Sequence, residues 1–190
     1  MMNQEFNQNR RRFLVAITTL VGSIGAFFAA IPFLSSWLPS AQAKAAGAPL
    51  EVDISHLAPG GLMIVEWRGK PIWIIRRTQE MLAHLTGHNG SLRDPNSLVD
   101  QQPPFADNIY RSIKPEYLVL VGICTHLGCS PTFKPNVGEL SANWPGGFYC
   151  PCHGSTFDLS GRVFKGVPAP TNLVVPPYRF LGDNRIVIGE

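Results

Sequence analysis

Between Phe13 and Leu34 the chain carries no charged residue. Wound as a helix rising 1.5 Å per residue, that stretch would be roughly 33 Å long, enough to cross a bilayer. Arg10, Arg11 and Arg12 precede it and the first lysine beyond it is Lys44, an asymmetry that keeps the N-terminus inside the cell and sends the rest out. Residues 13–34 are thus predicted to be a transmembrane anchor and residues 1–12 a cytoplasmic segment. Patterning then stops: Ser40 to Pro49 is rich in Ala, with Gly47 and Pro49. The span 35–49 is expected to be a flexible tether, with a continuous helix through the alanines as the competing structure.

From Leu50 the period shortens. Met63–Trp67, Lys70–Arg77, Tyr117–Ile123 and Arg185–Ile188 are runs of β-branched and aromatic residues, and Arg68-Gly69-Lys70 between the first two has the chemistry of a hairpin turn. Thr78 to Leu85 is a short helix candidate, while Ser91 to Asp107 is dominated by turn formers. About 140 residues remain from Leu50 onward, which suits one domain with a core of its own. The pattern predicts an all-β head, residues 50–190, behind one N-terminal transmembrane helix. Trp67 and Trp73 are expected in the strand core, and His56, His84 and His88 at exposed or loop positions.

Charge adds little. The net charge is +3 and three of the arginines sit beside the apolar stretch, so nothing suggests a nucleic-acid surface. Cysteine usage changes the picture. All four cysteines lie in two short boxes, Cys124-Thr125-His126-Leu127-Gly128-Cys129 and Cys150-Pro151-Cys152-His153-Gly154-Ser155. Each box offers one thiolate and one imidazole to a metal, with a second cysteine left over. That inventory suits an iron-sulfur site whose two irons differ in ligands. Two disulfides with incidental histidines, or a zinc site of two Cys and two His, are the other readings.

The paired boxes closely resemble the cluster-binding loops of Rieske 2Fe-2S proteins. That resemblance implies a Rieske fold, an antiparallel base with a smaller cluster-binding subdomain at about 122–172, and a 2Fe-2S cofactor. It implies cluster ligation by Cys124, His126, Cys150 and His153, and a disulfide between Cys129 and Cys152. The second cysteine pair points to the respiratory branch of the family, which oxidises ubiquinol and passes the electron to a c-type cytochrome within a membrane complex. A cytochrome b subunit, a c-type cytochrome subunit, ubiquinol, the membrane and a dimeric assembly are the partners so implied. A Rieske subunit of a periplasmic molybdenum oxidase, such as arsenite oxidase, is the alternative.

By the same resemblance His153 contacts quinol, and Leu127 at the loop tip docks on cytochrome b. Gly128 and Ser155 support the cluster sulfurs, Ser155 through a hydrogen bond. Phe157 stands where many respiratory members carry a tyrosine, so one hydrogen bond to a ligand sulfur is expected to be missing. Gly166-Val167-Pro168-Ala169-Pro170 is similar to the family's proline-rich lid, with Pro168 and Pro170 as its stiff residues. Asn9-Arg10-Arg11-Arg12-Phe13-Leu14 looks like a twin-arginine export signal. Ala41-Gln42-Ala43 could be a cleavage site, but the apolar stretch exceeds the ~7–15 residues of a cleaved signal. A retained single-pass anchor in the bacterial inner membrane, with the head in the periplasm and a tether that lets it swing, is therefore expected.

Overall fold

The computed structural model describes residues 8–189; the first seven residues of the predicted cytoplasmic segment and the last residue of the predicted head lie outside the described residues. The chain divides after Ala45 into an N-terminal unit and a head. In the first unit, α1 spans Gln8–Ser35 and contains the whole predicted anchor plus the three arginines. No residue of this helix is buried, as expected of a helix whose solvent is lipid. The hydroxyls of Thr18 and Thr19 donate to the carbonyls of Leu14 and Val15, both at 2.8 Å, so these polar groups are satisfied within the helix. After Pro32, Ser35 and Ser36 bond the carbonyls of Pro32 and Phe33 and the helix closes before Pro39.

The tether is not wholly irregular. A short helix, α2, spans Ala41–Ala46. Alanine is the best helix former, and the Ser40 hydroxyl accepts from the Ala43 N–H at 3.1 Å in the manner of an N-cap. The competing structure, a helix through the alanines, is thus present over these six residues, while the flanking Gly47 and Pro49 lie outside it.

The head contains strands β1 (Leu50–Asp53), β2 (Leu62–Trp67), β3 (Lys70–Arg76), β4 (Tyr117–Val121), β5 (Thr132–Lys134), β6 (Gly147–Tyr149), β7 (Thr156–Asp158), β8 (Tyr178–Phe180) and β9 (Arg185–Ile188). They form three antiparallel sheets of three strands, ordered β1-β9-β8, β2-β3-β4 and β5-β6-β7. Trp67 faces Lys70 across the β2–β3 turn, where Arg68 and Gly69 both take positive φ, the signature of a two-residue type I′ hairpin. Strand β3 supplies Ile72, Trp73, Ile74 and Ile75 and β4 supplies Leu118, Val119 and Leu120, all at 2 % exposure or less. These strands are apolar on both faces because both faces are covered. Trp67 is only partly buried, under the Arg68 guanidinium, with its ring N–H on the Ala48 carbonyl.

The expected helix from Thr78 shortens to α3, Gln79–Ala83, capped by the Thr78 hydroxyl on the Met81 N–H, and tightens into a 3-10 turn at His84–Thr86. Three arginines, Arg77, Arg111 and Arg162, are essentially inaccessible. Arg162 binds both the Asp158 carboxylate, at 2.7–2.8 Å, and the Leu85 carbonyl. Arg77 instead spreads its charge over backbone carbonyls and the hydroxyls of Ser160 and Ser112. Burial lowers Arg77 and Arg111 to about 10 each, so both stay charged at neutral pH. His56 and His84 are exposed as expected, whereas His88 is not a free loop residue. Its ring stacks on Phe164 and brings Nε2 to 3.6 Å from Asp158, a close approach too long for a hydrogen bond.

Candidate metal centre

Loop 1 leaves the end of β4 and loop 2 leaves the end of β6, and the two are built alike. In loop 1 the Cys124 N–H donates to the Cys129 carbonyl at 2.7 Å and the Gly128 N–H returns to the Cys124 carbonyl at 3.0 Å. In loop 2 the Cys150 N–H donates to Ser155 at 2.8 Å and the Gly154 N–H returns to Cys150 at 3.0 Å. Gly128 and Gly154 hold φ values of 84° and 75°, a left-handed turn that a Cβ would strain. Position for position, then, Cys124 matches Cys150 and opens each loop from inside the core.

Both opening cysteines are free thiols at 2 % exposure. The rings of His126 and His153 meet edge to face, 4.7 Å apart. His126 is half-buried, and its Nδ1 is buried with no hydrogen-bond partner, while His153 is exposed. A buried imidazole nitrogen without a partner is costly unless something binds its lone pair. Two buried thiols and that orphaned nitrogen therefore fit a metal centre of mixed sulfur and nitrogen ligands. Burial pushes the Cys124 thiol up and the adjacent Cys150 sulfur pushes the same way, while the His126 N–H and the Ser155 hydroxyl oppose them. Loading a metal must displace the thiol protons.

Cys129 and Cys152 form a disulfide that ties the two loops together. Their sulfurs and that of Cys150 lie within 4.8 Å of one another, but the bonded pair offers no thiolate, so Cys150 is the one ligand donor of that group. The segment expected to be a lid is bonded to both loops. The Ser155 hydroxyl oxygen, fully buried, accepts from the Ala169 N–H at 3.0 Å, and the Thr125 hydroxyl donates to the Thr171 carbonyl at 2.7 Å. Pro168 and Pro170 face outward. Phe157 is fully buried, opposite Phe148 in the β6–β7 pair and bridged to Val163. Leu127 projects from loop 1 at 71 % exposure.

Some of what shapes this site carried no sequence signal. Thr125 was simply the spacer between two ligand types, and its tie to the lid depends on a residue 46 positions away. Asn172 drew no attention in the sequence, yet it is buried and bonds three partners. What the sequence does display is the absence of charge at the tip. From Gly122 to Thr132, Gly146 to Phe157 and Gly166 to Asn172 there is no Asp, Glu, Lys or Arg.

Residues 97–179 match the family model described as Rieske [2Fe-2S] domain, and residues 1–40 the one described as Ubiquitinol-cytochrome C reductase Fe-S subunit TAT signal. The chain is 58 % identical over its whole length to the ubiquinol-cytochrome c reductase iron-sulfur subunit of Allochromatium vinosum, covering 93 % of that protein. It is 44 % identical to the protein of the same name from Blastochloris viridis, over 95 % of this chain and 92 % of that one. Among solved structures, a chain of a hyperthermophilic respiratory complex III aligns with 90 % of this chain and 97 % of its own length, at 26 % identity and a TM-score of 0.51.

Proposed function

Because the chain belongs to the family of ubiquinol-cytochrome c reductase iron-sulfur subunits, we propose that it takes electrons from ubiquinol through a Rieske 2Fe-2S cluster and hands them to a c-type cytochrome. The observation that carries this reading is the buried, unpartnered Nδ1 of His126 beside two buried free thiols, with His153 exposed next to it. When bound, such a cluster supplies a one-electron acceptor that its two imidazole ligands raise to between about −150 and +300 mV. Cys124 and His126 from loop 1, and Cys150 and His153 from loop 2, would hold it.

The remaining roles belong to the chain's own side chains. His153, at the mouth of the site, accepts a hydrogen bond from the quinol hydroxyl and then its proton on the outward ring nitrogen. Ser155 already accepts from Ala169, which leaves its own proton for a ligand sulfur. Gly128 lets loop 1 turn tightly around the site. Pro168 and Pro170 stiffen the lid and keep its rim free of donors. Leu127 supplies an apolar contact for cytochrome b. The subunit works in a cytochrome bc complex, a dimer in this reading, with cytochrome b taking the second electron of ubiquinol. Helix α1 anchors it in the bacterial inner membrane, the head lies in the periplasm, and residues 35–49 let the head travel between its two partners.

The reductase names of the relatives favour this reading over the molybdenum-oxidase alternative. Electron paramagnetic resonance of the reduced full-length chain tests it: the low average g value of a Rieske centre is expected, and a silent spectrum, as from zinc, would overturn it. Within the complex, His153→Cys or Leu127→Arg should abolish quinol oxidation, and normal turnover by either variant removes that residue's role.

A further inference from the structure

Residues 163–172 leave and re-enter the head at one neck. The Val163 N–H donates to the Asn172 side-chain carbonyl at 2.9 Å, joining the first residue of the excursion to its last. Its middle carries the proline lid, tied down by Ser155 from loop 2 and Thr125 from loop 1. Those two bonds hold the lid from Ala169 onward. The rising arm, Val163 to Val167, is held on one side by β7, through the Phe164 N–H on the Thr156 carbonyl at 3.2 Å and the Phe157–Val163 bridge, and on the other by a second segment.

That arm lies along residues from the turn-forming stretch after α3. The Arg93 N–H donates to the Val163 carbonyl at 2.9 Å, Leu92 bridges to Phe164, and the Lys165 N–H donates to Ser91 at 2.8 Å. Lys165 Nζ reaches the Gly90 carbonyl at 2.8 Å. At the far end the Arg93 guanidinium donates to the Val167 carbonyl at 3.2 Å, immediately before Pro168. The falling arm meets the same segment, because the Asn172 side-chain amide donates to the Asp94 carbonyl and to Ser97. Arg162 in turn fixes the segment from beneath, through Asn89 and the Pro95 carbonyl. Asp94 stiffens its last turn by accepting the N–H groups of Leu98 and Val99.

We infer that residues 89–97 form a strap that grips both arms of the lid, and that Arg93 is the positioning residue that fixes the lid's height over the cluster site. The strap lies outside the 122–172 subdomain expected from the sequence. Arg93 is suited to the task because the residue after Val167 is a proline. Pro168 has no N–H and Val167 must stay extended before it, so the lid can make few backbone bonds of its own and a side-chain donor supplies the missing anchor. The inference rests on the assignment of the lid to a cluster site, but its test does not depend on the cluster.

Amide hydrogen exchange of the full-length chain in detergent reads the lid directly, through the peptide spanning Val167 to Thr171. The Ala169 amide is buried on Ser155, so it exchanges when the lid opens. Arg93→Ala, at an exposed position, should speed that exchange about fivefold, the effect of losing one net hydrogen bond. The β3–β4 ladder should exchange as before, and Arg93→Lys, which still donates, should restore most of the protection. Exchange in Arg93→Ala equal to wild type, or faster equally everywhere in the head, overturns the strap. Faster lid exchange in a chain that gives no Rieske spectrum supports the strap while sinking the proposed function, so the two failures are distinguishable.

Discussion

At Phe157 the question is one oxygen atom. The ring is fully buried between Phe148 and Val163, one strand position beyond Thr156 and close behind loop 2. On the resemblance carried by the two cysteine and histidine boxes, a tyrosine there would bring a hydroxyl to a ligand sulfur. A bond favouring the reduced, more negative centre by about 1 kcal/mol corresponds to on the order of 40 mV for one electron. Phe157→Tyr should therefore raise the midpoint potential by roughly that amount in protein-film voltammetry, and an unmoved potential counts against the missing-hydroxyl account. Thermal melting of the same variant separates this from overpacking, which in a tight core costs about 1–3 kcal/mol.

Among the elements, the β2-β3-β4 and β5-β6-β7 sheets each hold a close approach, and one covalent tie joins the loops that leave them. A Cβ on Gly122 would collide with the Trp73 indole, where loop 1 leaves β4. Gly122→Ala should therefore cost about 1–3 kcal/mol in urea titrations, and a neutral result would mean that Trp73 can move aside. Gly147 is tighter still, since its Cβ would strike the Phe157 carbonyl from a φ of 153°. The disulfide closes a sequence separation of 23. Loop-closure entropy then assigns it about 3 kcal/mol, so Cys129→Ser should lower head stability by that order, with the loss checked by the same titration.

How legible these elements were follows from their length and covering. Strands β2, β3, β4 and β9 announce themselves because four to seven consecutive positions carry β-branched and aromatic residues. Strands β5 to β8 have three residues each, too few to display a period, and exist because loop closure and glycine geometry bring them together. The metal site was legible because thiol and imidazole chemistry is rare and local. Arg77 looked like the polar end of a strand and is instead buried. Likewise Ser91 to Asp107 did contain turns, but its grip on residues 163–172 is a long-range contact that no local pattern encodes.

For the whole molecule, Asp158 is a buried carboxylate that links stability to pH. Burial alone would raise its carboxyl. The nearby His88 ring and the Arg162 guanidinium and backbone N–H overcome this and hold it below the usual range. The unfolded chain therefore takes up the proton first as pH falls. Stability from this group is complete above the unfolded value of about 3.9 and is lost as pH drops through the folded one. Asp158→Asn leaves Arg162 buried without its counter-charge and should cost about 3–5 kcal/mol at neutral pH. In melting curves the gap between wild type and variant should narrow below about pH 4, and a gap constant with pH would deny Asp158 this part.

The charge-free tip has a consequence for traffic. To seat an ionised side chain in an apolar crevice, water must first be stripped from it at a cost of several kcal/mol per ion, and a pair formed there would hold the visitor fast. Loops without ions meet neither the toll on entry nor the grip on departure. Such a surface suits brief, repeated visits to a greasy crevice, with little dependence of each visit on the salt around it.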